Sequence, residues 1–274
     1  MFSFKRFSVK DDRCAMKVGA DSVLFGAWMD VSGARRLLDA GCGSGLLALM
    51  AAQRLCGDGP AGSSCAPVSN GNSGESGRRG DEADFHIDAI DIDEGAVADS
   101  AENFAASPWS EHLKARQISL QDFADEAVGV SSDFSFPADL SHSPGSPSDR
   151  LYDLIFCNPP YYDDSPSSGS EARDIARSTD TLSRRDLLFA AARLLTDRGR
   201  LSLILPFDQG KKMILEATLF GWFLHRQCFV KTKQGALPKR LMLEFSPSPS
   251  TGIKTETLVI GDERYRELTS GFYL

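Results

Sequence analysis

Arg35-Arg36-Leu37-Leu38-Asp39-Ala40-Gly41-Cys42-Gly43-Ser44-Gly45 is a short apolar strand that runs into a glycine-rich turn. Leu46-Leu47-Ala48-Leu49-Met50-Ala51-Ala52-Gln53 follows as the start of a helix. Strand, Gly-x-Gly-x-Gly and helix form the layout of the first βα turn of a nucleotide-binding α/β sheet. Gly41, Gly43 and Gly45 permit a tight turn and close backbone approach to a ligand. The spacing departs from the dinucleotide pattern Gly-x-Gly-x-x-Gly, and Asp39 stands at the mouth of the turn. A carboxylate there serves a pyrophosphate poorly and a cationic or amine-bearing ligand well.

The next strand is the alternating run Phe85-His86-Ile87-Asp88-Ala89-Ile90-Asp91-Ile92-Asp93. An acid at the end of the second strand is where such sheets grip a ribose diol. Asp91 is the first candidate and Asp93 the second. The plainer reading is that one of them caps the helix beginning near Glu94.

A third signal follows the buried run Leu151 to Cys157: Asn158-Pro159-Pro160-Tyr161. Pro160 biases Pro159 away from helix, and both prolines fix φ near −65°. The stiff tip presents the Asn158 amide oxygen, the Pro159 carbonyl and the Tyr161 ring. Two acceptors and a flat face suit a planar group bearing an NH2, such as a nucleobase amine.

Strands are expected near 36–40, 86–91, 114–119, 152–157, 200–205, 222–231 and 239–246. Helices are expected near 21–29, 46–55, 94–106, 184–196 and 208–219. Alternation up to residue 205 implies a mainly parallel sheet. The last two strands have no helix between them and are expected as an antiparallel pair at the sheet edge. Ligands of such sheets bind at the carboxyl ends of the strands, where Asp39, the glycine turn, Asp91 and Asn158 all fall.

The chain has 274 residues, enough for one large α/β domain. No apolar run approaches ~18 residues, so no membrane span is expected. Met1 to Arg6 lacks the apolar core of a signal peptide. Six cysteines without a Cys-x-x-Cys pair argue against zinc and for a reducing compartment. Cys42 and Cys157 read as small buried fillers.

Lys plus Arg total 30 against 38 Asp plus Glu, a net charge of −8. That balance is awkward for a nucleic-acid binder, which draws affinity from phosphate contacts. The basic residues nonetheless fall into three groups, set against acids concentrated at 81–93 and 122–126. Lys5, Arg6, Lys10, Arg13 and Lys17 form the first. Arg173, Arg177, Arg184 and Arg185 form the second. Lys231, Lys233, Lys239 and Arg240 form the third. Together they point to a local basic rim around the site. Two stretches, 57–84 and 128–150, are rich in Gly, Ser, Pro and Asp and read as flexible surface insertions.

Asp39-Ala-Gly-Cys-Gly-Ser-Gly45 with Asn158-Pro-Pro-Tyr161 resembles the class I S-adenosylmethionine-dependent methyltransferases that act on amines. The closer resemblance is to the bacterial tRNA adenosine N6-methyltransferases that modify a valine tRNA beside the anticodon. It is carried by Arg13-Cys-Ala-Met-Lys-Val-Gly-Ala-Asp21 with Gly26-Ala-Trp28, Glu102-Asn103, Ser107-Pro-Trp109, Ala176-Arg177, Thr181-Leu182-Ser183 and Leu237-Pro-Lys-Arg240.

The resemblance implies a single Rossmann-like domain over 1–274 with a seven-stranded, mostly parallel sheet and an antiparallel C-terminal edge hairpin. It implies S-adenosylmethionine as cofactor and tRNA as partner; composition and cysteine usage lead to the expectation of no metal, no membrane and a cytoplasmic enzyme, and the oligomeric state stays open with a monomer favoured. Asn158, Pro159 and Tyr161 are the expected catalytic residues. Asp39, Gly41, Gly43, Gly45 and Asp91 are expected to bind the cofactor. By resemblance alone, Lys17 and Asp21 lie near its methionine end; the structural alternative is a capping Asp21 and an exposed Lys17. Ser119 aligns where the family often places an acid toward the adenine, with Asp122 one turn later as the alternative. The Asn-Pro-Pro-Tyr motif also occurs in enzymes methylating glutamine or DNA adenine, so those substrates stay open. A nicotinamide oxidoreductase and a non-catalytic RNA-binding module fit the motifs less well.

Overall fold

The structure is a computed structural model and describes residues 1–57, 84–128, 152–159 and 182–273. Most of both expected insertions, along with Pro160, Tyr161, Arg173 and Arg177, lies outside the described residues. The chain divides into two compact units, Met1–Gln117 with Arg266–Leu274, and Ile118–Tyr265.

The first unit opens with a small antiparallel hairpin, β1 (Phe2–Ser3) and β2 (Ser8–Val9). Then come α1 (Ala20–Trp28), β3 (Arg36–Ala40), α2 (Leu46–Leu55), β4 (His86–Asp91), α3 (Glu94–Ala105) and β5 (Leu113–Gln117). β4 lies between β3 and β5, and both pairings are parallel. Leu37, Leu38, Asp39 and Ala40 are all fully buried, as a strand covered on both faces requires. α2 is buried on every side from Leu46 to Gln53, which is why it reads as apolar all round. The aromatics of the N-terminal segment are core: Phe4 stacks on Phe7 at 4.7 Å, and Phe7 meets Trp109 edge-on at 5.9 Å. The residues after position 265 close this unit. Lys5 N–H donates to the Phe272 carbonyl (3.0 Å), and Gln53 Nε2 donates to the Gly271 carbonyl (2.9 Å).

The second unit holds α4 (Leu120–Val128), β6 (Tyr152–Cys157), α5 (Arg184–Leu194), β7 (Leu195–Pro206), α6 (Phe207–Leu219), β8 (Phe223–Lys231), β9 (Arg240–Ser246) and β10 (Lys254–Val259). A last helix, α7, covers Glu263–Thr269. The strand order is β6-β7-β9-β8-β10. β6 and β7 run parallel, β9 is antiparallel to both β7 and β8, and β10 is parallel to β8.

Three features correct the sequence reading. Among the described residues and apart from the β1–β2 hairpin, the first unit carries three strands and the second five, eight where seven were expected. The β8–β9 pair is antiparallel as expected, but it is not the edge, because β10 lies outside β8. β10 escapes pattern reading because only Leu258 of its six residues is buried. α4 was missed although its start is written in Ser119-x-x-Asp122, a capping pattern. Ser119 Oγ accepts the Asp122 N–H at 3.0 Å and donates to its carboxylate at 2.7 Å.

Candidate active site

β3 delivers the chain into a turn whose three glycines all have left-handed φ: 76° at Gly41, 53° at Gly43 and 76° at Gly45. The turn is pinned to the neighbouring strand, since Gly41 and Cys42 both donate to the Ile90 carbonyl, at 2.8 and 2.9 Å. Gly45 has a second reason to be glycine. A Cβ there would lie 2.5 Å from Phe104 Cε1 and 3.0 Å from Ser100 Cβ, both on α3. Gly41 is the opposite case, because a Cβ there meets nothing within 4 Å. Its backbone faces open space, as a surface that receives a ligand should.

Asp39 is fully buried beneath this turn. Its Oδ2 accepts the Ala48 N–H at 3.2 Å, in the first turn of α2. The N-cap of that helix is Gly45, which has no side chain to offer, so Asp39 supplies an acceptor from the preceding strand. Its Oδ1 is buried with no hydrogen-bond partner. Burial pushes the Asp39 carboxyl well above the usual carboxylate range, and the charge of Asp91 adds to this against the Ala48 bond. The carboxyl therefore keeps its proton above 3.8, where the unfolded chain has lost it. The Asp39 contribution to stability is then full below 3.8 and is lost as pH rises through the raised value. Asp39→Asn should abolish that decline. Urea midpoints between pH 4 and pH 8 should show wild type losing ground to the variant; a constant difference would contradict the assignment.

Asp91, at the end of β4, turns one oxygen to the Gly43 N–H (2.9 Å) and the other to the Asp93 N–H (3.0 Å). The candidate acid and the glycine turn are thus brought into contact, with each carboxylate oxygen retaining a lone pair. Asp93 takes the plainer role, because its side chain accepts the Ala96 N–H at 2.7 Å and caps α3. Cys42 and Cys14 are both buried, and burial pushes both thiols up, so neither is a nucleophile here.

Residues 10–18 lie along α3 beside the turn, through contacts that sequence reasoning did not foresee. Asp99 Oδ2 accepts the N–H groups of Arg13 (2.8 Å) and Cys14 (2.9 Å), and Oδ1 accepts Arg13 Nε (2.8 Å). Burial raises the Asp99 pKa, but the Arg13 side chain and the two N–H groups outweigh it and hold the carboxyl below its ordinary range. Asn103 Oδ1 accepts Lys10 N–H (2.8 Å), while its amide donates to the Lys10 and Ser44 carbonyls (2.7 and 2.9 Å). One side chain thereby ties this segment to the glycine turn. Asp99, Glu102 and Asn103 share a helix face by their spacing. Gly95 was the other available signal, since a Cβ there would sit 2.9 Å from the Arg13 carbonyl. Lys17 Nζ donates to the carbonyls of Asp11 and Asp12, bracing its own loop. Asp21 lies in the first turn of α1, whose N-cap is Gly19.

In the second unit, Asn158 and Pro159 follow β6 directly and are half-buried. Tyr161 lies outside the described residues. Ser119 caps α4, as described above. Among the described residues no three His, Cys, Asp or Glu side chains gather as metal ligands, and no helix is long and apolar enough to cross a membrane.

An orphaned buried oxygen on Asp39, open space at Gly41 and a half-exposed Asp91 fit a ligand carrying both an amine and a diol. Comparison with known proteins agrees. No family model matches the chain. It is 36% identical to a tRNA1(Val) (adenine(37)-N6)-methyltransferase of Tolumonas auensis over 91% of its length and 84% of the relative. A relative of that description from Phocaeicola vulgatus is 36% identical over 100% and 97% of the two chains. One from Trichodesmium erythraeum is 34% identical over 96% and 91%. Among solved structures, a protein of Agrobacterium tumefaciens described as an O-methyltransferase superposes with a TM-score of 0.53, at 12% identity, covering 92% of this chain and 96% of its own. A class I S-adenosylmethionine-dependent methyltransferase from Listeria monocytogenes gives 0.51 at 12% identity, covering 93% and 71%. At such identity these two speak for the fold alone: α/β and Rossmann-like, as expected from the sequence.

Proposed function

We propose that this chain, which belongs to the tRNA1(Val) (adenine(37)-N6)-methyltransferase family, methylates N6 of an adenosine in the anticodon loop of a valine tRNA, using S-adenosylmethionine. When bound, the cofactor supplies an electrophilic methyl on a sulfonium. Asp39, the open backbone face of the glycine turn at Gly41, Lys17 and Asp21 would face its amino-acid end, and Asp91 would take the ribose diol. Ser119 is the adenine-side candidate, although its hydroxyl is engaged with Asp122.

The observation that carries the chemistry is the Asn158-Pro159 pair at the carboxyl end of β6. An adenine N6 is a weak nucleophile because its lone pair is delocalised into the ring. Asn158 Oδ1 and the Pro159 carbonyl accept its two N–H groups and draw the nitrogen toward tetrahedral geometry. Their partial negative charges also favour the positive charge that develops there, a form of electrostatic preorganisation. Tyr161, outside the described residues, is the residue expected from the sequence to stack on the base. The product ammonium loses its proton to solvent, so no strong general base is required. A loop base also leaves its stack more cheaply than a duplex base.

The test is incubation with methyl-labelled cofactor and tRNA, DNA and protein in parallel. Label should enter the tRNA pool and digest to N6-methyladenosine. Label in DNA or in protein glutamine, with none in tRNA, would replace this substrate with one of those.

A further inference from the structure

The three basic groups of the sequence are used very differently by the fold. In the first, every side chain is occupied inside its own unit. Lys5 donates to the Ser270 carbonyl, and Arg6 donates to that of Gly57 while lying 5.5 Å over Trp109. Lys10 pairs with Glu102, Arg13 with Asp99 and Glu102, and Lys17 with two backbone carbonyls. Within the second, Arg184 is held by Glu216 and Gln209. In the third, among the described residues, the side chains of Lys231, Lys233 and Lys239 form no ion pair or hydrogen bond, as is true of Arg185 alone in the second, while Arg240 Nη1 donates to the Lys239 carbonyl at 3.2 Å.

Register places this third group. Arg240 opens β9 opposite Pro206, the last residue of β7. β6 runs parallel to β7 with Cys157 opposite Leu203, so Asn158 and Pro159 leave the strands at that same end. The backbone carrying the cations is fixed from three sides. Lys239 N–H donates to the Val230 carbonyl at 2.8 Å, and the Lys239 carbonyl accepts Phe207 N–H at 3.1 Å. Ile260 N–H meets the Lys231 carbonyl at 2.9 Å. Of the acids near this end, Asp208 is paired with Lys211 at 2.8 Å, and Asp262 accepts the Tyr265 N–H at 2.7 Å. Glu263 follows on α7. Positive charge remains in excess.

We infer that this end of the second unit, carrying Lys231, Lys233 and Lys239, is where the tRNA phosphate backbone lies beside the amine-holding tip. The inference rests on the proposed tRNA substrate. A chain of net charge −8 repels a polyanion overall, so binding demands a local concentration of cations the protein has not already spent on itself. Lysines on flexible stems act as movable point charges toward phosphate, while their rigid backbone fixes where those charges can reach.

The test is the salt dependence of tRNA binding, read by fluorescence anisotropy, for wild type and for K231Q/K233Q/K239Q and K231E/K233E/K239E. Each phosphate contact contributes about 0.7 to 0.9 to the slope of log affinity against log salt, so the Gln variant should lose roughly 2 to 3 from its slope. The Glu variant should also bind on the order of tenfold or more weakly at low salt, with a raised KM for tRNA. Cofactor affinity, measured by calorimetry, should match wild type in both and so report intact folding. Wild-type slopes in both variants overturn the inference while leaving the proposed function standing. Failure of the wild-type protein to bind tRNA at all would overturn both.

Discussion

Asn158→Ala is expected to lower kcat for tRNA methylation by about 10²–10³-fold, the usual effect of removing one preorganised polar group aimed at developing charge. Cofactor affinity should be unchanged, because Asn158 is assigned to the acceptor amine and not to the cofactor. The loss should therefore fall on the chemical step, seen in single-turnover transfer of labelled methyl at saturating tRNA and cofactor. Truncation leaves the Pro159 carbonyl as sole acceptor, so one N–H of the amine goes unpaired and the lone pair stays conjugated with the ring. A variant as fast as wild type would remove Asn158 from the chemistry. A variant that only binds cofactor weakly would move it to another role.

Gly45→Ala is expected to be among the most damaging stability changes in the first unit. An L-residue at φ 76° carries roughly 1–2 kcal/mol of strain. The new methyl would also lie 2.5 Å from the Phe104 ring, and forced overpacking typically costs about 1–3 kcal/mol more. Gly41→Ala supplies the internal control: it has the same φ of 76° but a Cβ would meet nothing within 4 Å. Urea unfolding should thus show a small loss at position 41 and a larger one at position 45. Equal losses would mean that crowding against α3 is not what selects glycine at the end of the turn.

Much of the cofactor side was legible because it is local. Asp39, the glycines and their helix lie within one short stretch, and the acid ending the next strand is recognisable from alternation. The structure brings the two together, since the Gly43 N–H donates to Asp91. What stayed hidden depends on distant parts of the chain. Nothing near Asp99 announces that it accepts three N–H groups from residues 13 and 14, because helix spacing shows a face and not what docks on it. β10 was hidden for a different reason, as its mostly exposed residues carry no alternation. Ser119 was read toward the cofactor through alignment, although its capping pattern with Asp122 was present in the same four letters. The cations show a further limit. A sequence shows that lysines and arginines are neighbours, but only the fold shows that Arg13 is neutralised by Asp99 while Lys233 and Lys239 have no ion-pair partner among the described residues.

The first unit is not one continuous stretch, since Arg266–Leu274 returns to it after everything from Ile118 to Tyr265 has been made. Phe272, which is almost completely buried, and the carbonyls that receive Lys5 and Gln53 all belong to that returning piece. On the ribosome, the glycine bend and its carboxylates therefore emerge early, yet Lys5 and Gln53 must wait for their acceptors until translation has passed the whole second unit. The nascent protein should hold an incompletely sealed first unit until Arg266–Leu274 has emerged, and should gain protease resistance there only as that segment clears the exit tunnel.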